Sequence, residues 1–166
     1  MSGISAYDDI IEAVLWGLVQ IKTSSGYNTT IKHAYDPEVS IDEVLEYPSV
    51  LLDEGSEDCA NSNIGSHLQT GGNEAGLHNS FDLSLHCCLN EVNNAREARN
   101  KIKADIQKYF GLHPRIPNSF GVDTAFNCFY RGATPWGVDK QKPLTGITVD
   151  IRVWYRQKLT DPTTTI

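Results

Sequence analysis

Phe81, Leu83, Leu85, Cys87 and Leu89 alternate with Asp82, Ser84, His86 and Cys88. Successive side chains of a strand point to opposite faces, so this run predicts a strand with one apolar and one polar face. Ile147, Val149, Ile151, Val153 and Tyr155 repeat the pattern against Thr148, Asp150, Arg152 and Trp154. A sheet built from such strands needs a cover on one face only. Two helical stripes can provide it. Tyr7, Ile11, Val14, Leu18 and Ile21, with Ile10 beside them, predict a helix from about Ala6 to Thr23. Ala95, Ala98, Ile102, Ile106 and Tyr109 predict a second from about Ala95 to Phe110. Ser5 with Asp8 three residues on is a capping-box start, and Asn94 with Glu97 is a candidate cap for the second helix. Gly26 closes the first helical region, and Gly111 with Pro114 stops the second.

Three further segments complete the pattern. Tyr27 to Tyr35 is rich in β-branched and aromatic residues and predicts a strand. After Asp36-Pro37 comes a short helical turn over Ser40 to Glu46, then a brief strand at Ser49-Val50-Leu51-Leu52. Phe120, Val122, Phe126, Cys128 and Tyr130 alternate with Gly121, Asp123, Ala125, Asn127 and Phe129, and a turn-rich loop follows from Arg131 to Gly146. From Asp53 to His78 there are five acidic residues, five glycines and no Lys or Arg. Such a stretch buries too little apolar surface to offset its chain entropy, and residues 53–80 are expected to form a mobile loop. A loose tail is expected over residues 160–166. The fold class expected is α+β: a single mixed, mainly antiparallel sheet of four to five strands, with two helices on one face and a long acidic glycine-rich loop. At 166 residues, the whole chain (1–166) reads as one domain.

With 40% hydrophobic and 21% charged residues the composition is globular. A net charge of −7 disfavours gripping phosphate backbones, because that affinity is mostly cationic. Ala13 to Val19, flanked by Glu12 and Gln20, is far shorter than the roughly 20 apolar residues of a membrane helix, so no membrane partner is expected. The start turns acidic at Asp8-Asp9 without a basic region, so no secretory signal is expected. Cys59, Cys87, Cys88 and Cys128 show no disulfide spacing and read as reduced cytosolic thiols. Asn28-Thr29-Thr30 then reads as an accidental glycosylation pattern.

No phosphate-cradling glycine loop, nucleophile elbow or helical zinc-protease motif is present. His86-Cys87-Cys88 is the most metal-like cluster, with His67, His78 or Cys59 as further ligands. Zinc requires about four converging ligands, whereas a strand offers at most two of this triplet on one face. A packed Cys87 beside two semi-exposed polar residues is the expected arrangement. Cys88 or Cys128 with His86, His33 or His113 makes a conceivable nucleophilic pair, without any spacing to support it. Asp53-Glu54 and Glu57-Asp58 read as solvating charges. No catalytic, cofactor or metal residue is assigned.

The off-pattern aromatics carry more. Phe129 and Trp154 fall on the polar faces of their strands, with Arg152 beside Trp154 on the same face. Trp16 lies about 200° around its helix from Val14, off the apolar stripe. Large aromatics and Arg are enriched in buried interfaces. Trp16, Phe129, Trp154 and Arg152 are therefore the subunit-interface candidates, with packing beneath the long loop as the rival role.

Certain stretches together resemble a known family: Ser25-Gly26-Tyr27-Asn28-Thr29-Thr30-Ile31, then Pro48-Ser49-Val50-Leu51, then Ala104-Asp105-Ile106 in the second helix, and the closing Asp150-Ile151-Arg152-Val153-Trp154-Tyr155-Arg156-Gln157. Over nearly its whole length the chain resembles the tail terminator (tail completion, minor tail) proteins of long-tailed bacteriophages. The Asp53 to His78 stretch departs from that pattern by its length. The resemblance implies a structural, non-enzymatic virion protein without cofactors. It would form a homo-oligomeric ring, a hexamer in that family, at the head-proximal end of the tail tube. Its partners would be the tail tube protein and a neck or head-completion protein, with DNA passing through the lumen unbound. Three other roles stay open from the residues: a neck connector, a small metal- or thiol-dependent enzyme, and a monomeric module whose acidic loop meets a basic partner.

Overall fold

Ser5 opens the first helix. Its Oγ accepts from the Asp8 backbone N–H at 3.1 Å, while the Asp8 carboxylate accepts from the Ser5 N–H at 3.2 Å, a complete capping box. In the computed structural model, which describes residues 5–59, 76–91, 93–139 and 144–158, this helix is α1, Ala6–Leu18. It ends five residues before the expected Thr23, because Gln20 and Ile21 donate to Gly17 and Leu18 carbonyls in turns. Ile21 stays in the core nonetheless. A 3-10 turn at Thr23–Ser25 closes on Gly26 at φ +81°, a left-handed conformation that favours glycine.

The strands are β1 (His33–Tyr35), β2 (Ser49–Cys59), β3 (Gly76–Leu89), β4 (Asn127–Asp139) and β5 (Leu144–Lys158), with α2 at Ala95–Leu112 between β3 and β4. They form one five-stranded sheet in the order β1-β2-β3-β5-β4. β1 runs parallel to β2, and every other neighbour pair is antiparallel. The class is α+β with a single mixed sheet and two helices, as expected. Val50, Leu52, Leu83, Leu85, Val149, Ile151 and Val153 on one sheet face join Ile10, Val14 and Leu18 of α1 and Ile102, Ile106 and Tyr109 of α2 in a single core. Each such side chain contributes roughly 1.5–3 kcal/mol by leaving water. α1 packs against β1 and α2, and α2 lies over β3, β5 and β4.

Several expected boundaries move. The Tyr27 to Tyr35 strand shrinks to β1, because Asn28 and Thr29 spend their N–H groups on the Asp105 carboxylate of α2. Both ends of the expected 53–80 loop are strand instead: Asp53–Cys59 continues β2 and Gly76–Ser80 begins β3. Ladder hydrogen bonds need no apolar side chains, and a register shift between Glu54 and Glu57 absorbs the irregular sequence. Residues 60–75 of that loop and the 160–166 tail lie outside the described residues. α2 runs two residues past Phe110, and the Asn94 side chain makes no cap hydrogen bond.

The largest correction concerns Phe120 to Gly146. Phe120, Val122 and Phe126 are exposed and precede the strand rather than line its apolar face. The Asn118 carboxamide accepts from the N–H groups of Phe120 and Val122 at 3.0 Å each, and Gly121 takes φ +76°, so the backbone turns there. β4 then runs through most of the expected turn-rich loop, with a shift between Tyr130 and Gly132 that leaves Arg131 as the extra residue. Tyr130 is exposed for the same reason, at the edge of the sheet.

Candidate assembly surface

The face of the sheet turned away from the core carries the polar members of each alternation. Asp82 of β3 stands opposite Arg152 of β5. Arg152 Nε and Nη2 donate to the two carboxylate oxygens of Asp82 at 2.7 and 2.6 Å, a bidentate pair. Those hydrogen bonds hold the Asp82 carboxyl below its ordinary range and raise the guanidinium further. One row along, the Ser84 hydroxyl donates to Asp150 at 2.7 Å. In the next row His86 Nδ1 lies 2.8 Å from the Thr148 hydroxyl, with its Nε2 3.6 Å from Asp53.

Aromatics flank this ladder. Phe129 of β4, exposed, stands opposite Arg152, and its ring meets the ring of Trp154 edge-on at 6.4 Å between centroids. Three of the four expected interface residues, Phe129, Arg152 and Trp154, thus form one continuous patch. Trp16 is half-buried on α1, in the helix layer, and does not join them.

At the other end of the same face, Val44, Leu51 and Cys88 form a second small cluster under Tyr35, Tyr47 and Trp136. Trp136 reaches it across Gly146, where its ring occupies the space a Cβ would need. This corrects the expectation for Cys88, which is buried rather than semi-exposed. Burial pushes the thiols of Cys88 and Cys128 up to about 12, and Cys87 higher still. Groups so placed hold a proton rather than a metal or an electrophile at neutral pH. Among the described residues no three His, Cys, Asp or Glu side chains converge on one point. His67 lies outside the described residues.

The β2 carboxylates Asp53, Glu54, Glu57 and Asp58 are exposed, as expected of solvating charges, and two of them also accept side-chain hydrogen bonds. Tyr155 donates its hydroxyl to Glu57, and Tyr7 hydrogen-bonds Glu54, on the edge of the core beneath α1. Burial first, and Glu54 next, raise the Tyr7 hydroxyl well above its usual value.

Sequence reasoning missed a second display of apolar surface. Between α2 and β4, residues 113–126 fold back on themselves: Thr124 donates its hydroxyl to the Ile116 carbonyl at 2.6 Å, and Ala125 donates its N–H to Arg115 at 3.0 Å. Ile116 is buried at φ +50°, a left-handed conformation that costs a β-branched residue about 1–3 kcal/mol. The turn displays Phe120, 89% exposed, at its tip. Pro117-Asn118 followed by Gly121 is the turn chemistry that could have revealed it. No helix among the described residues is long and apolar enough to cross a membrane. The chain matches no protein-family model and no curated protein sequence.

Proposed function

We propose that this chain is a phage tail terminator: a structural protein that forms a ring on the head-proximal end of the tail tube, ends tube polymerisation and offers the neck a surface to join. The observation that carries the reading is the division of large off-core aromatics between two layers. Phe129 and Trp154 lie on the open sheet face, and Trp16 lies on the helix layer. A closed ring uses a heterologous contact, in which two different patches of each subunit meet. Two separated patches suit that geometry better than one self-complementary patch. The acidic balance of −7 supports a lumen through which DNA slides, since like charge repels phosphate. The proposed partners are further copies of the chain in a hexamer, the tail tube protein and a neck protein, within the virion.

A neck connector is the nearest rival. Five strands with two helices favour the terminator, because a helix-rich chain would suit the connector. Electron microscopy of particles made without this protein separates the two. Overlong tails are expected. Tails of normal length beside detached, leaking heads would overturn the terminator reading.

A further inference from the structure

We infer that copies of this chain join head to tail through opposite edges of the sheet, with Leu45 of one copy seated in an apolar hollow between α2 and β4 of the next. The inference deepens the ring reading and rests on it for closure; the identity of the two edges comes from the residues below.

Charge divides along the chain and across the sheet. Residues 1–91 carry 15 Asp and Glu against two Lys, a net of −13, whereas residues 92–166 carry 12 Lys and Arg against six Asp and Glu, a net of +6. The strand order places β1 and β2 at one side and β5 and β4 at the other. α1 accompanies β1, and α2 lies over β3, β5 and β4. A modest overall charge thus hides a domain with an acidic side and a basic side. Such a molecule attracts its own kind in one orientation and repels it in the reverse one.

Each side also presents an apolar feature. On the acidic side, the connection between β1 and β2 holds Leu45 with 85% of its surface exposed, in a segment that also carries the exposed Glu38, Glu43 and Glu46. The connection is itself fixed. Val44 packs on Leu51, and Ser40 caps the 3-10 turn Ile41–Glu43. On the basic side there is a hollow of about 160 Å³ lined by Ile106, Phe110, Pro114, Cys128 and Tyr130, with Gln107 at its rim. Apolar cavities of roughly 150 Å³ accept a group the size of benzene, so one leucine side chain is a suitable guest. Lys103, one helical turn before Gln107 on α2, places positive charge beside the hollow. Leu45 belongs to a segment packed on the open sheet face, and the hollow lies on the helix side. The two therefore sit on opposite faces as well as opposite edges, and they pair between copies as a heterologous contact.

The experiment is a charge exchange followed by analytical ultracentrifugation. Glu38→Lys with Glu46→Lys reverses two charges in the connection that carries Leu45, and Lys103→Glu reverses the charge beside the hollow. Each charge variant should lose self-association at least about tenfold at low salt, while equimolar mixing of the two restores it. Leu45→Asp should weaken association in the otherwise unaltered chain, and circular dichroism checks that every variant is folded. Variants that associate like the unaltered chain, or a mixture that stays monomeric, would overturn the edge pairing. So would an unaltered chain that remains monomeric at millimolar concentration and low salt, which would assign the two edges to other proteins. Tail length in particles lacking the chain judges the ring itself. Overlong tails together with normally associating variants would remove this contact and leave the ring standing.

Discussion

Asp105, buried in the middle of α2, receives both the backbone N–H and the side-chain amide of Asn28 on one carboxylate oxygen, at 3.0 and 2.8 Å. Its other oxygen accepts from the Thr29 N–H at 2.7 Å. Lys108, one turn on, donates to the Gly26 carbonyl at 2.7 Å and lies over the Tyr27 ring. Two stretches far apart in sequence, Tyr27-Asn28-Thr29 and Ala104-Asp105-Ile106, are thereby joined. Hydrogen bonds to a charged acceptor are worth about 1.5–3 kcal/mol each, and the three here share one residue. Asp105→Ala should cost about 3–4 kcal/mol in urea unfolding. Asp105→Asn should fall between, because its amide turns a donor toward a donor. A loss below about 1 kcal/mol for the alanine variant would mean that the 26–29 segment is held by other contacts.

A different close approach fixes how α1 meets α2. Gly17 lies against the Tyr109 ring, and a Cβ at this position would overlap the phenol. In a free helix Gly→Ala gains about 1 kcal/mol. Overpacking a tight contact costs about 1–3 kcal/mol, and Tyr109 is a buried aromatic with little room to turn. Gly17→Ala should therefore destabilise despite its better helix propensity. Restoring the space with Tyr109→Phe in the same chain should recover part of the loss, because the hydroxyl oxygen is the nearest atom. A stabilised Gly17→Ala chain would show that the helices can separate freely.

The Asp82–Arg152 pair sets a direction for acid sensitivity. Arg152 holds the folded-state carboxyl below the ordinary 3.8. A depressed carboxyl contributes stability that is present above 3.8 and lost as pH falls through the lower folded value. With the two side chains 28% and 39% exposed, solvent screening limits the contribution to about 1 kcal/mol or less. Asp82→Asn should lower stability by that amount at pH 7 and by nothing near pH 2. A difference that grows toward low pH would contradict the sign.

The sheet was largely readable from alternation, and the places where reading failed share a cause. Phe81 to Leu89 and Ile147 to Tyr155 have one buried face, so period-two patterning locates them. The β2 stretch from Asp53 to Cys59 and the β4 stretch from Arg131 to Asp139 hold their pairing through backbone hydrogen bonds, with few apolar residues, one register shift in β2 and two in β4. Composition says nothing about such bonds. Phe120 and Phe126 misled in the opposite sense, since their spacing imitates a strand while Asn118 and Gly121 turn the chain. In the open-face patch, Phe129 and Trp154 were findable because they break the alternation, and Arg152 because it lies beside Trp154 on the same face. Leu45 was not, because a lone exposed leucine in an acidic connection carries no pattern.

Buried thiols give a test of the rival thiol chemistry. Cys87, Cys88 and Cys128 are buried, and desolvation raises all three. The thiolate is the reactive form, so at pH 8 these side chains should resist iodoacetamide in the folded chain and react promptly in guanidinium. Peptide mapping by mass spectrometry resolves each position. Rapid alkylation of Cys88 or Cys128 under native conditions would reopen the nucleophile reading.

Trp154 and Ile151 lie on one strand with their side chains on opposite faces, which allows folding and assembly to be separated. Ile151 is 1% exposed in the core, and truncation to alanine leaves a cavity worth about 2–5 kcal/mol. Trp154 is half-buried on the open face, where its main ring contact is Phe129. Trp154→Ala should therefore unfold only slightly earlier in urea, yet weaken self-association and lengthen tails in complemented particles. Phe129→Ala should act in the same direction, because the two rings share one patch, and the double variant should fall short of the summed effects. If Trp154→Ala unfolds as early as Ile151→Ala, the open face is part of the stabilising core. If it assembles normally, the patch has no role in joining subunits.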